Sequence, residues 1–89
     1  MIFWIFVPVW NLTVQSSHHA FIWVETNQNA IIGLSDGEDV LASIEDSTAV
    51  GFVLTTVPVK EPVQRYLMAW AINDEGEYVE WPVRLLIEP

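Results

Sequence analysis

Eighty-nine residues carry twelve acidic side chains against only Lys60, Arg65 and Arg84, a formal charge of −9, yet 52% of the chain is hydrophobic and five residues are Trp. The charge excludes direct nucleic-acid binding, because affinity for phosphate backbones comes mostly from Lys and Arg displacing counterions. The apolar load excludes a disordered acidic tail, and with no cysteine a disulfide scaffold, a zinc–thiolate site and a cysteine nucleophile are excluded too.

The length fits a single domain over residues 1–89. A chain this small buries only about 60–65% of the surface its unfolded form exposes. Ile, Leu, Val, Phe, Trp and Met nevertheless number 38. Some of them must reach the surface, and contiguous apolar patches usually mark interfaces. The composition therefore predicts a homo-oligomer or an obligate partner.

The opening run Met1–Trp10 is broken by Pro8 and followed by Asn11, Thr13 and Gln15. It falls short of the about 20 apolar residues a membrane span needs. It also lacks the basic region and small-residue cleavage site of a secretory signal. The expectation is a cytoplasmic protein without membrane contact, its first residues forming buried strands near 2–7 and 9–15. Glu25 is the first charged residue, so 1–24 reads as core and interface. Trp4, Phe6 and Trp10 in this uncharged segment are candidate interface or ligand-binding residues, because Trp is enriched among the dominant contacts of interfaces.

Ser16-Ser17-His18-His19 is the only place where hydroxyl and imidazole adjoin. Neighbours on a strand point to opposite faces, and no strand–turn–helix elbow surrounds the serines. The two histidines lack the i, i+2 or i, i+4 spacing that aims two rings at one ion. The segment reads as a polar loop, and no catalytic residue, metal ligand or cofactor is assigned.

Abundant Ile, Val, Trp, Phe, Tyr and Thr fit pleated, half-buried surfaces, and turn chemistry recurs at the spacing of an all-β domain. Further strands are expected near 20–26, 30–34, 50–57, 64–73 and 77–87. Asn27-Gln28-Asn29 suits a tight turn, and Trp23, between Phe21 and Val24, reads as core.

Residues 35–46 admit two readings. Ser35-Asp-Gly-Glu38 matches a helix capping box, Val40, Leu41 and Ile44 share one helical face, and early carboxylates complement the helix dipole. This favours one short helix near 36–45. The rival reading makes Asp36-Gly37 a hairpin turn, followed by a strand whose Val40, Ala42 and Ile44 point inward.

A helix over Pro62–Ala71 is outweighed by the turn chemistry directly after it. Asn73-Asp74-Glu75-Gly76, with Gly76 free to take positive φ, joins Tyr66–Ile72 to Tyr78–Ile87 as a hairpin. Pro82 places the last strand at an edge or bends it. Trp70 and Trp81 flank the turn at distances that suit a cross-strand pair, and both join the candidate interface or ligand-binding set.

The carboxylates gather at Asp36, Glu38, Asp39, Glu45 and Asp46, and at Asp74, Glu75, Glu77 and Glu80. Neither group keeps the alternating ligands of a calcium loop. Asp74, Glu75 and Glu77 form instead the candidate surface for a basic protein partner, where charge complementarity speeds encounter.

Pro62-Val-Gln-Arg-Tyr66, with Ala71-Ile-Asn-Asp-Glu-Gly76-Glu after it, resembles the end of a fibronectin type III module. Pro8, Asn11-Leu-Thr-Val14 and Trp23 are similar to its opening strands. The spacing from Tyr66 to Asn73 is one residue shorter than in that family, and Asp36–Asp46 has no counterpart. The resemblance implies a β-sandwich and carries no functional residue over.

These observations predict a mainly β fold, a small antiparallel sandwich or barrel with one short helix near 36–45, with α+β as the alternative. The expected function is that of a small acidic, non-catalytic binding protein that self-associates through apolar, Trp-bearing strands. One alternative is a Trp-lined pocket for an organic cation or a carbohydrate. Another is an acidic inhibitor that imitates nucleic acid.

Overall fold

Around residue 22, Ala20, Ile22 and Val24 are buried while Phe21 and Trp23 face outward, the period-two alternation of a strand with one wet face. The same alternation recurs along residues 67–73 and 83–87. A computed structural model describes residues Met1–Pro89. Its elements are β1 (Ile5–Phe6), β2 (Asn11–Gln15), β3 (His19–Asp36), β4 (Asp39–Thr55), β5 (Val63–Asn73) and β6 (Tyr78–Glu88).

Hydrogen bonds join the strands in the order β1-β3-β5-β6-β2, with β4 along the other side of β3. All pairings are antiparallel except β2 with β6. β3 and β4 are long enough to serve two layers. Their register shifts between Glu25 and Ala30, and Asp46 adopts a φ of 53°. Such irregularities let strands turn a corner from one layer into the next. The first layer holds β1, residues 19–26 of β3 and 49–55 of β4. The second holds the remainder of β3 and β4 with β5, β6 and β2.

Sixteen buried hydrophobic residues from both layers form one cluster, including Ile5, Val7, Ile22, Phe52, Leu34, Leu67, Val83 and Leu85. The Cα envelope measures 46 × 22 × 16 Å, too thin to enclose more. Large apolar side chains in at least equal number stay exposed, as the composition requires. Every buried side-chain polar atom has a hydrogen-bond partner.

The helix expected near 36–45 is absent, and with it the α+β alternative. Gly37 and Glu38 form a two-residue hairpin between the register partners Asp36 and Asp39. Gly37 has a φ of 60° and Glu38 a negative one, the signature of a turn with glycine first. The Ser-Asp-Gly-Glu motif serves both structures, and pairing with β3 decides between them. The strands expected at 20–26 and 30–34 are halves of β3, so Asn27–Asn29 is the layer corner and not a turn. The strand expected at 2–7 is paired only at Ile5–Phe6. Ahead of it the Asn27 side chain stands in for a ladder, accepting from Trp4 N at 2.9 Å and donating to Ile2 O at 2.6 Å.

The β5–β6 hairpin forms where expected. Buried Asn73 organises its turn, its Oδ1 accepting from Glu75 N at 3.1 Å and Glu77 N at 2.9 Å, with Gly76 at a φ of 79°. Pro82 sits on an edge. Arg84 N donates outward to Trp10 O at 2.7 Å, so the nitrogen of residue 82 faces the same side, beyond the reach of β2, which pairs only from Arg84 onward. The missing N–H therefore costs no ladder bond.

Candidate interaction surfaces

The first layer presents an aromatic outer face. Phe6 pairs with Glu25, which places it on the same face as outward-facing Trp23 and Phe21 and diagonal to Trp23, and Trp4 stands two residues before it on the same side. Gly51 on β4 makes room for this row. Lacking a Cβ, it lets the Phe21 ring lie across it, with Cε2 and Cζ 2.5 Å from where a Cβ would sit. Trp23 stacks on Phe21 with centroids 6.4 Å apart and planes 22° apart, and its Nε1 donates to Glu25 Oε1 at 2.8 Å. Trp4, Phe6, Phe21 and Trp23 are 46%, 42%, 56% and 38% exposed, so all four can meet another molecule.

Phe6 also meets Trp81 edge to face, with centroids 5.6 Å apart. Trp81 and Trp10, together with Glu80 and Pro82, line a shallow recess of about 380 Å³ at the open side of β6. The uncharged first ten residues thus connect the aromatic face to this recess.

A second aromatic surface lies outside β5 and β6. Trp70 pairs with Gly33 on one side and Glu80 on the other, Ile72 with Tyr78, and Tyr66 with Arg84. Tyr66, Met68, Trp70, Tyr78, Glu80 and Pro82 line an open recess of about 550 Å³. Arg84 already lies over the Tyr66 ring, 5.9 Å from its centroid. Tyr78 donates its hydroxyl to Glu80 Oε2 at 3.0 Å. Its ionisation is shifted above the ordinary 10.0, first by partial burial, then by this hydrogen bond and the Glu80 charge.

The remaining sequence candidates fall into separate places. Asp74, Glu75 and Glu77 project from the β5–β6 turn, but Glu77 is tied inward, accepting from Asn73 Nδ2 at 2.9 Å. Asp36 is paired with Arg65 at 2.7 Å, a half-exposed bridge of the kind that adds little stability. His18 Nδ1 lies 3.1 Å from the Ser16 carbonyl, and His19 Nδ1 lies 3.0 Å from Thr55 Oγ1, so neither ring addresses a serine hydroxyl.

Two tryptophan expectations need correction. Trp23 faces solvent, because Ile22 and Val24 take the inward positions of its strand. Trp70 and Trp81 do not face each other. Their partners are Glu80 and Ala69, a register offset of one residue, which puts them on opposite faces of the sheet. Sequence reasoning also misses Phe21, Tyr66 and Tyr78 as surface aromatics. Gly33 and Gly51, isolated glycines within strands, are the available signal, since such glycines mark close approach by another group.

No protein-family model matches the sequence, and no curated protein is similar to it. Among solved structures the chain is similar to a fibronectin(III)-like module of Clostridium thermocellum CbhA, with a TM-score of 0.63 and 14% identity over 98% of this chain and 94% of that one. At that identity the likeness establishes the fold, a fibronectin III-like β-sandwich, and nothing about ligands. No helix is long and apolar enough to cross a membrane.

Proposed function

We propose that the chain is a non-catalytic interaction module that self-associates through its first layer. The observation that carries this reading is the stacked pair Phe21 and Trp23, with Phe6 and Trp4 farther along the same exposed sheet face and Glu25 as the only charge among them. Contiguous apolar surface of this kind marks an interface, and aromatic anchors dominate binding energy. The acidic turn Asp74–Glu77 belongs to the other layer, which favours contact between two copies at the aromatic face. Sedimentation equilibrium of Trp4→Ala and Trp23→Ala tests it. Both side chains point outward, so both variants should fold, and both should shift the protein toward monomer.

The recess outside β5 and β6 supports a second reading, binding of a small organic cation. Trp70 and Tyr78 offer ring faces and Glu80 a carboxylate, the combination that holds quaternary ammonium groups, while the Arg84 guanidinium already lies over the Tyr66 ring. The chain's net charge of −9 adds long-range attraction. Titration with tetramethylammonium, followed at the Trp70 indole N–H by NMR, should show saturable shifts that Glu80→Gln weakens. Shifts that do not saturate, or that survive Glu80→Gln unchanged, would exclude this reading.

A further inference from the structure

β4 pairs only with β3, so its other side carries unpaired backbone N–H and C=O groups. An open edge is a template for another strand, and proteins usually guard it with charge, proline or a bulge. The two halves of β4 differ in this respect. The first half is guarded by Glu38, Asp39, Glu45 and Asp46, and Asp46 adds a φ of 53°. The second half, Ser47-Thr-Ala-Val-Gly-Phe-Val-Leu-Thr55, has no charge and no proline and is rich in β-branched residues.

The ladder identifies which backbone groups are free. Thr56 N donates to His18 O at 3.0 Å, so residue 56 turns its backbone groups toward β3. By the alternation of an antiparallel pair, Val50, Phe52 and Leu54 do the same. Ala49, Gly51, Val53 and Thr55 direct theirs outward. At Ala49 both are taken by the Ser47 hydroxyl, which accepts from Ala49 N at 3.2 Å and donates to Ala49 O at 2.7 Å, so Gly51, Val53 and Thr55 carry the free groups.

We propose that this neutral half-edge receives a second copy of the same chain, added antiparallel, so that the first layers of two molecules become one continuous sheet. The inference rests on the self-association reading and adds an edge contact distinct from the aromatic face. Charge sets where on the edge a second copy can dock. The body carries a net charge of −9, so another copy is repelled along most of its surface but not along this strip. Antiparallel addition also keeps the two acidic half-strands at opposite ends, whereas parallel addition would lay them side by side. The strip is self-complementary about Phe52. Gly51 of one copy faces Val53 of the other, and a two-fold axis repeats the pair; Ala49 then lies opposite Thr55 with its backbone groups held by the Ser47 hydroxyl. Phe21, folded over Gly51, then borders the junction from each side.

Val53→Pro is the direct test, read by sedimentation equilibrium. The Val53 N–H points away from β3 and its side chain is 59% exposed, so proline removes no internal bond while blocking the added strand. The self-dissociation constant should rise at least about tenfold, whereas Val53→Thr, which keeps both the N–H and the branched side chain, should leave it nearly unchanged. In the unmodified chain, the amides of Gly51 and Val53 should gain protection from hydrogen exchange as concentration rises. Exchange that stays fast in the assembled protein would overturn the proposal. An assembly lost in Trp4→Ala but intact in Val53→Pro would overturn the edge contact and leave the aromatic-face reading standing, because Trp4 lies across the layer from β4. A monomer at every concentration would overturn both.

Discussion

The indole of Trp70 lies flat against the backbone of Gly33, its register partner on β3, and its Nε1 donates to Ser35 Oγ at 2.7 Å on the same strand. A Cβ at residue 33 would overlap the six-membered ring, with Cη2 2.7 Å away and other ring atoms nearer. The glycine thus weakens its strand locally, and the aromatic ring covers the gap. It also sets the floor of the recess that Tyr66, Tyr78 and Glu80 surround.

Gly33→Ala should force the indole off the sheet, break the bond to Ser35 and destabilise the fold by about 1–3 kcal/mol, measured by urea denaturation. Gly51→Ala meets Phe21, which is 56% exposed and free to swing into solvent, so its cost should be below about 1 kcal/mol. Equal costs at the two positions would contradict this account of Trp70.

Asn73→Ala should cost about 1–3 kcal/mol. The buried amide serves the N–H groups of Glu75 and Glu77 and the side chains of Glu77 and Gln28, and alanine leaves those partners unmatched. Thermal unfolding measures the loss. A shift no larger than that of an exposed turn substitution would mean water replaces the side chain without penalty.

The Tyr78 phenol should ionise above 10.0 in the folded chain, because partial burial disfavours the phenolate, Glu80 accepts its proton in a hydrogen bond, and the carboxylate repels a second negative charge. A folded-state value raised above the unfolded one contributes stability fully present below pH 10.0 and lost as pH rises through the folded value. Following tyrosinate absorbance, Glu80→Gln should bring the transition down toward 10.0 but not onto it, since burial remains. No movement would show that Glu80 does not act on the phenol.

The hairpin of β5 and β6 was legible because Asn73–Gly76 combines a side chain that organises a turn with a residue able to take positive φ, and Pro82 marked the open edge of its second strand. Residues 36–45 were not legible. Ser35 and Glu38 fit a capping box, while Asp36 and Gly37 fit a hairpin, and local chemistry cannot rank the two. Only the ladder to β3, made by residues distant in sequence, does so. The same limit applied to the aromatics. Whether Trp23 points in or out, and whether Trp70 meets Trp81, turns on a register offset of one residue, which composition does not contain. The excess of apolar surface was legible from counting alone, but the face that carries it was not.

Self-association through the first layer is the central claim, and the mass of the unmodified chain in solution tests it most directly. Sedimentation equilibrium across micromolar concentrations should give a mass above the 10.1 kDa of one chain, rising with concentration. Trp4→Ala and Trp23→Ala, with unchanged circular dichroism, should fall back toward 10.1 kDa. An unmodified chain that stays at 10.1 kDa over the whole range would contradict the claim.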